Sequence, residues 1–139
     1  MREILFKAKR LDNGEWFEGV PVAVTPIQCF AEPQGEEVLM VRAGFADWGM
    51  PRGLEGTKVD PTTVCQYTGL TDRNGTKIFE GDVINIVGSR KPGLPAPVAY
   101  LKGFCQFAIL RNNYNPVWLC DYDSTKSLEV LGNIHDKEN

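Results

Sequence analysis

The side chains with the most chemical potential are carboxylates in the middle of the chain. Asp60, Asp72, Glu80 and Asp82 are near neighbours in sequence. Were they to converge, their oxygens would suit a divalent cation such as Mg²⁺ and metal-assisted phosphoryl chemistry. The competing reading is structural. Asp and Asn side chains accept hydrogen bonds from nearby backbone amides and so stabilise turns. Asp72 stands beside Asn74-Gly75, and Asp82 follows Gly81, so the sequence favours the structural role for both. Nucleophilic catalysis would need a base beside Ser, Thr or Cys. The one histidine, His135, adjoins a polar tail that the sequence predicts to be frayed, which argues against a Cys–His pair. Cysteines 29, 65, 105 and 120 show no CxxC spacing. They read as four buried free thiols rather than zinc ligands. No glycine-rich phosphate loop occurs, and no cofactor is expected.

A second set of residues suggests binding rather than catalysis. Trp16, Phe17, Trp48, Tyr67, Phe104, Phe107, Tyr114, Trp118 and Tyr122 could stack bases on an open sheet. Arg42, Arg52, Lys58, Arg73, Arg90, Lys91 and Lys102 would then meet the phosphates. Against this, Phe104, Phe107 and Trp118 read as core, and 15 basic residues face 18 acidic ones, a net charge of −3. A general binder of phosphate backbones carries a basic excess. Trp48 and Tyr114 fall in loops, where burial is not assured. With Arg52, Arg90 and Lys91 they form the candidate partner surface.

The elements that must position these residues follow a period of two, the repeat of a strand with one buried face. Residues 4–8 place Ile4, Phe6 and Ala8 on one side. Asp12-Asn13-Gly14 supplies hairpin chemistry, and 15–24 is the returning strand, with Pro21 marking an end, a bulge or an edge. Residues 25–36 read as a connection, 37–43 as a strand, and 44–60 as a long loop. A strand over 62–67 leads to Gly69, placed as a reversal, and to the Asn74-Gly75 hairpin. Short strands follow at 76–79 and 83–87. Residues 88–97 form a Pro/Gly-rich loop. Strand-like runs at 98–101, 104–110 and 117–122, a turn at 111–116, one helical turn near 124–128 and a closing strand at 128–134 complete the pattern. About eight short strands with little helix predict a mainly β fold, a small SH3-like barrel or sandwich with long irregular loops. The length, with 42% apolar and 24% charged residues, suits one domain over 1–139 and admits two lobes, 1–60 and 61–135.

The most specific stretch is 64–86, VCQYTGLTDRNGTKIFEGDVINI. Gln66, Tyr67, Thr68, Gly69, Leu70, Asp72, Asn74, Gly75, Ile78, Phe79, Glu80, Gly81, Asp82, Val83 and Ile84 resemble the signature of the YopX-like family of phage and prophage proteins. The opening REILFKA and the closing LEVLGNIH are similar to that family as well. Where the family has tyrosine, this chain carries Phe79 and His135. The resemblance implies a mainly β fold containing a small barrel, and no established activity. The motif residues themselves read as structural: Tyr67 secures a turn and Gln66 faces solvent.

The expectation is therefore a non-enzymatic, protein-binding or self-assembling β module of phage or prophage origin, acting in the bacterial cytoplasm through loops 44–60 and 88–97. Its partners would be further copies of itself, or a phage or host protein. Single-stranded nucleic-acid binding is the alternative, and a metal-dependent enzyme using the acidic turn residues a further one. No apolar run approaches the ~20 residues of a membrane span.

Overall fold

The computed structural model describes residues 3–24, 37–43, 53–87, 95–110 and 117–136. The fold is mainly β, as the period-two pattern predicts. The described strand pairings are antiparallel, and the described strands close no barrel. The chain divides into two compact units, one of residues 4–65 and one of residues 1–3 with 66–139.

In the first unit, β1 (Phe6–Lys9), β2 (Trp16–Val24), β3 (Glu37–Ala43) and β4 (Leu54–Val59) form a meander. The first hairpin turns where Asn-Gly predicts. Gly14 adopts φ 72°, the Arg10 N–H donates to the Glu15 carbonyl at 2.9 Å, and Asn13 Oδ1 accepts from the Glu15 N–H. Ile4 departs from expectation: it precedes β1 and is exposed. Strand β2 changes partner along its length. Residues 16–19 pair with β1, and residues 20–24 pair with β3. Pro21 lies beyond the last β1 pair, Phe6 with Gly19, so its missing N–H removes no β1–β2 bond. Gly19 sits at the changeover, where an added Cβ would lie 2.4 Å from the Val41 carbonyl oxygen.

The loop expected over 44–60 contains a strand. Residues 54–59, LEGTKV, lack apolar alternation, so the sequence hides them. Their conformation follows from pairing with β3, from Ala43 with Leu54 to Val38 with Val59. A bridge between Arg10 and Val59, and an Asp60 N–H bond to the Lys9 carbonyl, bring the end of β4 to the end of β1. A 3₁₀ turn over Pro61–Thr63 follows, capped by Asp60, whose Oδ1 accepts from the Thr62 N–H. Ala8, Phe17, Met40 and Val59 form this unit's buried cluster.

The second unit opens with β5 (Cys65–Thr71), which pairs with β6 (Lys77–Phe79). Gly69 does not reverse the chain. Its φ of 91° lies within a β5 bulge, between the pairs Tyr67–Phe79 and Thr71–Lys77. The reversal belongs to Gly75, at φ 81°. Strands β7 (Asp82–Ile86), β8 (Ala96–Leu101), β9 (Gln106–Ile109), β10 (Val117–Trp118) and β11 (Leu128–Asn133) form a five-stranded sheet in the order β10-β9-β8-β7-β11. The single-turn α1 (Ser124–Ser127) is capped by Asp123, which accepts from the Thr125 N–H. Ile78, Ile84, Ile86, Val98, Ile109 and Leu128 lie at the centre of this unit's core.

Two sequence readings are corrected in this unit. Phe104, expected in the core, is 63% exposed in the turn before β9 and meets Trp118 edge to face. Cys105 and Cys120, expected to be buried thiols, are exposed, while Cys65 is buried. Cys105 occupies a turn at φ 53° rather than a strand, which lifts it out of the apolar run that suggested burial. Cys29, the connection 25–36 and the turn 111–116 lie outside the described residues.

Candidate functional site

The family-like motif folds around two buried carboxylates. Asp72 is 2% exposed. Its Oδ1 accepts from the Asn74 N–H at 2.9 Å and the Thr76 N–H at 2.8 Å, the local turn that the sequence predicts. Its Oδ2 accepts from the Val130 N–H of β11 at 2.9 Å. The neighbouring Arg73 N–H donates to the Leu128 carbonyl, so the β5–β6 turn is stitched to β11 at two points. Burial alone would push the Asp72 carboxyl upward, but the Val130, Thr76 and Asn74 amides outweigh it and hold the pKa below the usual carboxylate range.

Asp82, 1% exposed, opens β7. Its Oδ2 accepts from the Phe79 N–H, and its Oδ1 from Asn133 Nδ2 at 2.8 Å. Asn133 also donates to the Glu80 carbonyl and accepts from the His135 N–H. Gly81, between the two acids, has φ 82°, and an added Cβ would meet Ile134 and Asn133 at 3.3–3.4 Å. The Glu80 carboxyl is half-buried, and desolvation raises its pKa. Thr68 Oγ1 donates to the Ile78 carbonyl, Tyr67 packs edge-on against Phe79, Leu70 packs on the core, and Gln66 faces solvent.

Asp72 and Asp82 therefore spend their oxygens on backbone amides and Asn133, and Asp60 caps its 3₁₀ turn. Among the described residues no group of three or more His, Cys, Asp or Glu is placed to hold a metal. The sequence signals Asp72's local turn but not its bond to Val130, nor Asn133's pairing with Asp82. Each links residues more than 50 positions apart.

The candidate partner residues Trp48, Arg52, Arg90, Lys91 and Tyr114 lie outside the described residues. So do 44–52 and 88–94 of the two loops. Of the other aromatics, Phe17 and Tyr67 are buried, and Arg42 lies over the Phe17 ring at 4.2 Å.

A different surface emerges in the first unit. Residues paired directly across an antiparallel sheet share a face. Val20 pairs with Val41, Val22 with Leu39, and Ala43 with Leu54. These side chains alternate with Phe17, Met40 and Val59, which are buried, and so project from the opposite, outward face. Val20 and Val22 are each 47% exposed and Leu54 81%, while Leu39 and Val41 are half-buried. Trp16 continues the same face on β2. Half-solvated antiparallel sheets ordinarily alternate apolar with polar; here the outward side also carries an apolar strip, bordered by Lys7, Lys9, Glu18 and Lys58. The signal was present in the sequence, where the run VPVAV is apolar at every position.

In comparison with known proteins, no curated protein matches the chain. The family model described as "YopX protein" matches residues 29–139, most of the chain. The match includes the Gln66–Asp82 motif and the closing strand, while the opening segment that also suggested the family precedes it. The chain belongs to the YopX protein family.

Proposed function

We propose that this is a phage- or prophage-type, non-enzymatic protein-binding module, and that its binding surface is the outward face of β1–β4. The observation that carries the reading is the exposure of Val20, Val22 and Leu54 on one continuous sheet face. Contiguous exposed apolar surface of this kind marks interaction sites. Burying the exposed parts of these three side chains would contribute about 4 kcal/mol. Association costs roughly 4–15 kcal/mol in lost freedom, so the apolar contact directs binding without sufficing for a tight complex. The allocation of Asp72 and Asp82 to backbone support agrees with a binding role.

The test is site-specific photo-crosslinking in a bacterial lysogen expressing the full chain. A photoreactive residue at position 22 should form a protein adduct, and the same residue at exposed Thr62 should not. Val20→Glu with Leu54→Glu should abolish the adduct while circular dichroism stays unchanged. Equal adduct yields at positions 22 and 62, or no adduct at 22, would remove the proposal.

A further inference from the structure

We infer that the outer edge of β4 accepts an antiparallel β-strand from another protein, an extended segment with apolar residues at alternate positions; this rests on the binding role proposed for the adjoining face. The direction of the β4 main chain follows from its neighbours. The Lys58 carbonyl accepts from the Leu11 N–H at 3.1 Å, and the Asp60 N–H donates to the Lys9 carbonyl at 2.8 Å. Lys58 therefore turns its main-chain groups away from β3. Such groups alternate in direction along a strand, and β3 and β4 pair without a register shift from Ala43 with Leu54 to Val38 with Val59. Leu54 and Gly56 thus point the same way as Lys58, while Glu55 and Thr57 bond to β3. Along 54–57, β4 stands at one end of the strand order with β3 as its neighbour. Among the described residues, none bonds to the edge-facing groups of Leu54 or Gly56. An added Cβ on Gly56 would meet, among these residues, only Met40 and Val41 of β3, at 3.7 and 3.8 Å. Leu11 engages the edge at Lys58, so the open edge spans 54–57.

A row of main-chain N–H and C=O groups at a sheet edge is matched by another extended chain. The β4 side chains set what that chain carries. Leu54 lies on the outward face and is 81% exposed, so an apolar residue directly opposite it extends the strip of Val20, Val22 and Leu54. Glu55 lies on the other face, is exposed, and accepts from Arg42 Nε and Nη2 at 3.0 and 3.2 Å. A polar residue suits the position across from it. A segment that alternates apolar with polar satisfies both faces, and antiparallel addition is the more stable per residue. The β4 strand of a second copy does not satisfy them. With Lys58 engaged by Leu11, the two-fold antiparallel register of β4 on itself pairs Leu54 with Gly56 and sets Glu55 against Glu55. Each of these carboxylates is already held by its own Arg42, and like charges directly opposite destabilise a sheet pair.

The experiment uses the full chain and fluorescein-labelled peptides followed by anisotropy. The reference peptide alternates valine with threonine. In antiparallel addition the residues opposite Leu54 and Gly56 turn their side chains to the outward face and their N–H groups to β4, so the valines make the bonds. N-methylation of the valines should weaken binding about tenfold or more, and N-methylation of the threonines should leave it within about twofold. Gly56→Pro removes an N–H that faces away from β3, so circular dichroism should stay unchanged while the reference peptide binds about tenfold more weakly. Equal effects of methylating the two sets, a reversed pattern, or full affinity of the folded Gly56→Pro variant would overturn the inference. So would a dimer of the chain alone that Gly56→Pro dissociates, because it would assign the edge to a second copy. An adduct at position 22 whose yield Gly56→Pro leaves unchanged would overturn it while leaving the binding face standing. The absence of that adduct removes both.

Discussion

Replacing Asp72 by asparagine separates the local and long-range parts of the structure that the family motif builds. The amide oxygen of asparagine can still accept from the Asn74 and Thr76 N–H groups, which Asp72 holds at 2.9 and 2.8 Å. Its amide nitrogen would then face the Val130 N–H, donor against donor, where Oδ2 now accepts at 2.9 Å. A bond to a charged acceptor contributes about 1.5–3 kcal/mol, and an unsatisfied buried donor costs about 1–3 kcal/mol. We expect Asp72→Asn to destabilise the chain by about 2–3 kcal/mol. Asp72→Ala should cost about 1 kcal/mol more, because the two turn amides lose their acceptor as well but can reach water. Urea unfolding at pH 7 measures the loss, and hydrogen exchange at the Val130 amide localises it. The pH dependence supplies a sign. Because the folded-state pKa of Asp72 lies below its ordinary value of about 3.9, its stabilisation is present above that pH and is lost as pH falls through the lower, folded value. The gap between wild type and Asp72→Asn should therefore be full at pH 7 and narrow below about pH 4. A loss under about 0.5 kcal/mol at pH 7, or unchanged protection of Val130, would refute the reasoning.

Gly19→Ala should destabilise by about 2–4 kcal/mol, because its Cβ would collide with the Val41 carbonyl at 2.4 Å, whereas Gly56→Ala, with its nearest neighbour at 3.7 Å, should stay within about 1 kcal/mol in the same urea assay. Asn133→Ala and Asp82→Asn should each destabilise, and their double-mutant cycle should show a coupling above about 1 kcal/mol across the 2.8 Å bond; strict additivity would count against it. Glu80→Gln should stabilise at pH 7. Burial raises the Glu80 pKa, so the ionised form is the penalised one, and the gain should vanish as pH falls below the ordinary carboxylate value of about 4.3.

Sequence and structure agree where the signal is local. Asn13-Gly14 and Asn74-Gly75 mark turns that need positive φ, and both glycines adopt it, at 72° and 81°. The β-branched and aliphatic run at 37–43 gives β3 with the same bounds. The disagreements arise where a neighbour decides. Residues 54–59 have no strand pattern and become β4 because β3 presents an edge to them. The residue type of Gly69 points to a reversal, but the register of β5 against β6 makes it a bulge. The hydrophobicity of Phe104 points to the core, yet a turn carries it into solvent.

The same division holds for the site. A mainly β chain, its turn glycines, the Asx role of Asp72 and the family motif are legible in the order of residues. These depend on backbone sterics and hydrogen bonds spanning a few residues. Long-range packing alone makes Asp72 hold Val130, pairs Asp82 with Asn133, and leaves Val20 and Val22 of the β2 run VPVAV exposed. A period-two pattern shows that a strand has two faces; which of them is covered depends on what packs against it, and an all-apolar run carries no mark to tell them apart.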